Sequence, residues 1–153
     1  DYGHVLLRFQ NQVQGLITVS QISHGRLNDL RLEIDGSLGS LSWQQETPNE
    51  LVLRRFGQPL QVYERNPQAD FTYPTARAAC RLPAGHPEAF FEAFANVYRS
   101  SFDQMIAQAT GQPTNHRDTI FPNVYDGLEG VSFIEQCVAS SAADGSWKPL
   151  TPC

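Results

Sequence analysis

The sequence has no cluster of basic residues beyond the pair Arg54-Arg55, and its 153 residues carry a formal net charge of −5 with acids and bases interspersed. Nucleic-acid backbones are held by concentrated positive surface, so no nucleic acid is expected as a partner. Long apolar runs are lacking too. None approaches the ~18 residues that a bilayer-spanning helix needs, and no leader of the signal-peptide type opens the chain, so no membrane is expected. Cysteine is scarce: Cys80, Cys137 and Cys153 are an odd number without paired spacing, and no N-x-Ser/Thr acceptor is present. Thiols left unpaired in this way fit a reducing, cytoplasmic setting.

Catalytic and cofactor signatures are equally sparse. A dinucleotide fingerprint needs G-x-G-x-x-G between a strand and a helix, and a P-loop needs a glycine-rich turn ending in Lys-Ser/Thr. Neither occurs, and Gly36-x-x-Gly39 lies between two strand patterns, where it is a turn. His4, His24, His86 and His116 stand singly, with no H-x-x-x-H or C-x-x-C to place two metal ligands together. No G-x-S-x-G elbow marks a nucleophile. The expectation is therefore no catalytic residue, no metal and no cofactor bound by this chain alone.

What is present is an ordinary globular composition, 41% hydrophobic and 18% charged, at a length that suits one domain, residues 1–153. The chain opens at Asp1 and is in a strand pattern by His4, which reads as part of a longer polypeptide. From His4 to Glu64 the pattern is almost wholly β. Strands are predicted over His4–Gln10, Val13–Ser23, Asp29–Asp35, Leu38–Trp43, Glu50–Phe56 and Pro59–Glu64, with Leu30, Leu32 and Ile34 alternating against Arg31, Glu33 and Asp35. Short turns between them favour an antiparallel meander. Arg65–Leu82 has no clear period.

The organising stretch is Pro83–Gly111. Pro87 fits the first position of a helix and Glu88 its first turn, so the helix is expected to begin at His86 or Pro87. Phe90, Phe94, Val97, Tyr98, Phe102, Met105, Ile106 and Ala109 recur at helical spacing and predict a stripe lying on a broad apolar platform, with Gly111 and Pro113 ending the helix. Glu88 and Glu92, one turn apart, read as a solvated face rather than a catalytic carboxylate pair. A second helix starts at Asn123, with Asp126 completing a capping box. Its buried stripe is Leu128, Val131, Ile134 and Val138, and Gly127 and Gly130 permit a neighbour to come close. Trp147 and Leu150 are expected to pin the C-terminal segment.

Three polar groups stand out. His86, in Ala84-Gly85-His86-Pro87, is placed at a helix N-terminus, where a neutral imidazole contacts a substrate hydroxyl or simply caps the helix. Gln21, His24, Arg26 and Asn28 cluster between two strands and Trp43, Glu46 and Asn49 around a turn, each with a solvated or packing role as the plain alternative.

Taken together, Ser20–Leu51, Pro83–Tyr98 and Phe121–Trp147 resemble the C-terminal domain of the glucose–fructose oxidoreductase, inositol dehydrogenase and rhizopine-catabolism (Gfo/Idh/MocA) family, particularly its sugar-dehydrogenase-like branch. The resemblance implies an α+β fold: a large open, predominantly antiparallel sheet with helices on one face, like the C-terminal domain of dihydrodipicolinate reductase, the N-terminal Rossmann domain being absent from this chain. It also implies the substrate-binding and oligomerisation domain of an NAD- or NADP-dependent enzyme. That enzyme would move a hydride between nicotinamide and a sugar or polyol, be inactive without its cofactor domain, and form a homo-oligomer through the open sheet face. The family's E-K-P and D-x-x-x-H motifs are missing, so no catalytic residue carries over. Its substrate contacts fall on Gly85 and His86 and on Gln21, Gly25, Arg26 and Asn28, with His24 where a small residue is expected. The rival expectations are a non-catalytic binding or assembly module using the sheet face, and a complete small enzyme built on His86 with a carboxylate.

Overall fold

A computed structural model describes residues 1–113 and 121–150; His116 and Cys153, considered above, lie outside them. The elements are β1 (Tyr2–Arg8), β2 (Gln14–Ser20), β3 (Arg31–Gly36), β4 (Gly39–Gln44), β5 (Glu50–Arg55), β6 (Gln61–Glu64), α1 (Pro74–Ala79), α2 (Phe90–Ala109) and α3 (Val124–Ser141). They fall into two compact units, one holding β1, β2 and α3, the other β3–β6, α1 and α2. The α+β class with antiparallel strands is as expected. Where one large sheet is implied by the resemblance, the strands form two, one of two strands and one of four.

In the first unit, β1 and β2 are a hairpin in register from Tyr2↔Ser20 to Arg8↔Gln14. Its turn closes as expected at Asn11-Gln12, with Gln12 at φ 67° and the Phe9 N–H donating to the Val13 carbonyl at 2.9 Å. The α3 cap is the one its sequence predicts. Asn123 Oδ1 accepts from the Tyr125 N–H at 2.8 Å and Asp126 Oδ2 accepts from the Asn123 N–H at 2.7 Å, satisfying two donors that a helix start otherwise leaves open. Trp147 is pinned as expected, with the Arg8 guanidinium 4.6 Å above its ring.

The four strands of the second unit form an antiparallel meander in the order β3-β4-β5-β6. The pairs Leu32↔Trp43, Ile34↔Leu41, Leu41↔Leu53 and Leu51↔Tyr63 put these side chains on one face. Arg31, Glu33, Asp35, Ser40, Ser42 and Arg54 occupy the other. The first face is thus largely apolar, as period-2 alternation dictates, and the second is polar along β3 and β4 with Val52 and Val62 on it at β5 and β6. Gly39 lets β4 turn in beside β5: a Cβ there would lie 2.2 Å from the Arg54 carbonyl oxygen. The segment without a clear period turns back over the apolar face. Phe71 meets Tyr63 edge-on at 5.1 Å, and the six-residue α1, too short to leave a periodic signal, follows it.

Two expectations about the helices need correcting. Helix α2 begins at Phe90 with Ala89 as its cap, three or four residues later than Pro87 suggests. It ends as expected. Gly111, at φ 69°, donates to the Gln108 carbonyl and Gln112 to the Ala107 carbonyl, the paired bonds of a Schellman stop. Its aromatic stripe, however, is not buried by the described residues: Phe94 is 50% exposed, Phe102 58% and Ile106 60%. The half-covered positions are Glu92, Asn96, Ser100, Ser101, Gln104 and Ala107, a mostly polar side of the same helix. Asn96 is the reason. Its amide donates to the Ala79 carbonyl at 2.7 Å and its oxygen accepts from Arg81 Nε at 2.7 Å, which turns the polar side inward and the aromatic side out.

The stripe of α3 behaves alike. Leu128, Ile134 and Val138 are 51, 61 and 64% exposed, while Phe133, Gln136 and Cys137 share a cavity of about 500 Å³ with His4–Leu7 of β1. A Cβ at Gly127 or Gly130 would meet nothing within 4 Å, so the close neighbour those glycines suggest is not supplied by the described residues. Among the described residues no apolar side chain is fully buried.

Candidate functional site

The one buried residue among those described is Glu88. Its carboxylate accepts from the backbone N–H groups of Arg81 and Leu82 and lies 3.3 Å from Arg65 Nη1. Arg65 spends the rest of its guanidinium on backbone: Nη1 donates to the Leu82 carbonyl at 2.8 Å, Nη2 to the carbonyls of Pro83 and His86, and Nε to Asn49 Oδ1 at 2.9 Å. Asn49 closes the ring. Its Nδ2 donates to the Glu88 carbonyl at 2.8 Å and its Oδ1 accepts from the Glu88 N–H at 3.2 Å. A planar five-donor fork is suited to this work in a way that a lysine is not.

This knot corrects the reading of Glu88 as part of a solvated helix face, and it explains the late start of α2. A carboxylate drawn inward to satisfy Arg81 and Leu82 keeps Pro87–Ala89 out of the helix, which begins at Phe90. The partners lie 6 to 39 residues from Glu88, beyond the reach of local pattern. Glu92 takes the role of first-turn acid instead. Its Oε2 accepts from the Ala89 N–H at 2.9 Å, and that bond, with its own backbone N–H, holds the carboxyl below the ordinary value of 4.5.

The knot fixes the loop that carries Gly85 and His86. Gly85 is at φ 79°, a left-handed conformation suited to glycine, and the His86 N–H donates to the Pro83 carbonyl at 3.3 Å. His86 is exposed, with Nδ1 3.3 Å from the Ala84 carbonyl. It stands in the turn before α2 rather than at the helix N-terminus.

Beside the knot, a cleft of about 590 Å³ is lined by Asn28, Trp43, Gln45, Glu46, Asn49 and Glu92 among others. Asn28 donates to Gln45 Oε1, and Glu46 Oε1 accepts from the Asp29 N–H at 3.1 Å, so the turn after β4 is tied to the segment before β3. Trp43 lines the cleft, and its Nε1 donates to the Pro48 carbonyl at 3.0 Å. Amides and carboxylates around an indole make a surface for hydroxyl groups. His86 does not line this cleft. Gln21 and Arg26 belong to the other unit, where the Gln21 N–H donates to the Asp1 carbonyl at 2.8 Å and Gly25 is at φ 92°. Asn28, Gly85 and His86 thus share one unit and Gln21 and Arg26 the other.

The described residues do not fit a dinucleotide. The turn at Gly36 and Gly39 joins two strands, and Glu92 and Asn123 occupy the starts of the two long helices. No group of three His, Cys, Asp or Glu placed to hold a metal occurs among the described residues, and none of their helices is long and apolar enough to cross a membrane.

Residues 1–150 match the family model of the C-terminal alpha/beta domain of the Oxidoreductase family (Gfo/Idh/MocA). The chain belongs to this family. The Bacillus subtilis uncharacterized oxidoreductase YfiI is 32% identical over 148 residues, 96% of this chain and 37% of its own length. An inositol dehydrogenase homolog from Azotobacter vinelandii, solved with NAD+, is 33% identical over 97% of this chain and 38% of its own, with a TM-score of 0.89. The same homolog has been solved with NADH and myo-inositol. A Pseudomonas syringae oxidoreductase is 30% identical over 99% of this chain and 41% of its own, also with a TM-score of 0.89. The domain therefore spans well under half the length of the relatives it matches.

Proposed function

We propose that this chain is the substrate-binding and oligomer-building domain of a cytoplasmic NAD- or NADP-dependent dehydrogenase acting on a sugar or polyol. The observation that carries the reading is the 33% identity and TM-score of 0.89 to an inositol dehydrogenase homolog that binds a nicotinamide cofactor and a cyclitol. The reaction class is oxidation of a carbinol carbon, with the hydride passing to nicotinamide and the hydroxyl proton to a base outside this domain. Here the domain's own part is binding. Asn28, Gly85 and His86 offer amide, backbone and imidazole groups to hydroxyls, Gln21 and Arg26 are further candidates that follow from the family resemblance, and the Glu88–Arg65 knot holds the Gly85-His86 loop in place. The apolar sheet face, uncovered along β3, supplies surface for a homo-oligomer.

The test is an assay of the polypeptide as its source cell makes it, after its intact mass is measured, for NAD+ and NADP+ reduction against a panel of sugars and cyclitols. A mass of about twice that of this chain or more, with turnover of a polyhydroxylated alcohol, supports the reading. His86→Ala and Asn28→Ala should then raise KM about tenfold, the value of one or two lost hydrogen bonds, with a smaller change in kcat. A polypeptide of this chain's own mass that reduces neither cofactor would instead favour a non-catalytic assembly module.

A further inference from the structure

The guanidinium of Arg65 has no donor left for a ligand. Its five N–H groups face five acceptors of this chain: Nε the amide oxygen of Asn49 at 2.9 Å, Nη1 the Leu82 carbonyl at 2.8 Å and the Glu88 carboxylate at 3.3 Å, Nη2 the carbonyls of Pro83 and His86. Pro83 and His86 are the two ends of one turn. The His86 N–H closes it on the Pro83 carbonyl at 3.3 Å, and Gly85, at φ 79°, fills the third position, where a turn of this kind demands glycine. One nitrogen thus grips both ends of the turn. Arg65 is itself fixed, since it directly follows β6 and its N–H donates to the Asn49 carbonyl at 2.7 Å. Within the turn, the Ala84 carbonyl lies 3.3 Å from His86 Nδ1. A carbonyl only accepts, so this contact places the proton on Nδ1 and leaves Nε2 bare when the ring is neutral.

We propose that Arg65 is a positioning residue for substrate binding, one that takes no hydroxyl itself. By gripping the turn it keeps the Ala84 carbonyl on His86 Nδ1, so that Nε2 accepts a hydrogen bond from a substrate hydroxyl. This rests on the polyol reading above and goes further by stating which nitrogen meets the ligand and which distant residue selects it. Neutral imidazole free in water favours the proton on Nε2, so the selected form lasts only while the turn holds. A lysine at position 65 would keep the charge and lose the grip, because three donors on one atom cannot serve an amide, a carboxylate and three carbonyls together.

The experiment uses the full polypeptide with nitrogen-15-labelled histidine and compares the parent, Arg65→Lys, His86→Ala and the double variant. In buffer alkaline enough to keep the imidazole neutral, the His86 nitrogens, assigned by their loss in His86→Ala, should report the Nδ1–H form in the parent. Arg65→Lys should move them toward the Nε2–H form. In the polyol assay Arg65→Lys should raise KM about fivefold with a smaller change in kcat. The double variant should stay near the roughly tenfold of His86→Ala alone, where independent effects would multiply to about fiftyfold. Should Arg65→Lys lose its circular dichroism spectrum, Asn49→Asp, which removes only the donor to the Glu88 carbonyl, takes its place with the same readouts and the same cycle. A parent in the Nε2–H form, or effects on KM that multiply in the double variant, would overturn the role of Arg65 and leave the polyol reading standing. A parent that turns over no sugar or polyol would overturn the polyol reading and this role with it.

Discussion

At the entrance of α2 a carboxylate, a guanidinium and an amide satisfy one another inside a single chain. Further along the helix, Phe94, Phe102 and Ile106 are left 50, 58 and 60% exposed. The difference is one of polarity. A buried charge must find its partners when its own unit folds, because an unpaired one costs several kcal/mol, so Glu88, Arg65 and Asn49 are gathered from positions far apart in the chain. An apolar stripe tolerates delay. It remains in water at a cost spread over many side chains and is completed when a partner arrives. The first region therefore sets the geometry of the proposed substrate loop, and the second offers surface for the proposed assembly.

The largest expected effect comes from breaking the knot. Glu88→Ala leaves Arg65 half-buried without its carboxylate and two backbone N–H groups without an acceptor, and should lower stability by about 3–5 kcal/mol in chemical denaturation. Equal midpoints for variant and parent would mean that the carboxylate is not held as described. Next comes the stripe, whose cost should depend on concentration. Phe94→Ala should change stability by under about 0.5 kcal/mol where the protein is monomeric, as exposed substitutions do, and by about 3 kcal/mol where it is associated. The same cost at both concentrations would remove the distinction between the two regions. Smallest is Glu92→Gln. The depressed carboxyl of Glu92 contributes stability above its ordinary pKa of 4.5 and loses it as pH falls through the lower folded value. The variant should be slightly less stable than the parent at pH 7, and the gap should close in more acid solution; a gap that widens there would contradict the bond to Ala89.

How much of this was legible in the sequence follows from the range of each interaction. Alternation in Leu30-Leu32-Ile34 placed β3, and Asn123 with Asp126 placed the start of α3, because both signals lie within a few residues of their effect. The stop at Gly111 was legible for the same reason. Helix α1 left no trace, since six residues cannot establish a period. Pro87-Glu88 imitates a helix start, and only the distant Arg65 and Asn49 reveal that Glu88 is engaged elsewhere. Periodicity identified the stripes of α2 and α3 correctly as stripes. It is silent on which chain covers them, and the expectation of a buried platform failed there. Of the site, the Gly85-His86 turn was found from its residues and the family resemblance, whereas the knot that holds it joins side chains up to 39 residues apart.

The most direct test of the contrast is amide hydrogen exchange across residues 81–106 of the full polypeptide, about tenfold below and about tenfold above the midpoint of its self-association. The account predicts that the amides of Arg81 and Leu82, bonded to Glu88, are protected equally at both, while those from Val97 to Ile106 become more slowly exchanging as the protein associates. Protection of α2 that is the same at both concentrations would contradict it, because the helix would then be complete within one chain.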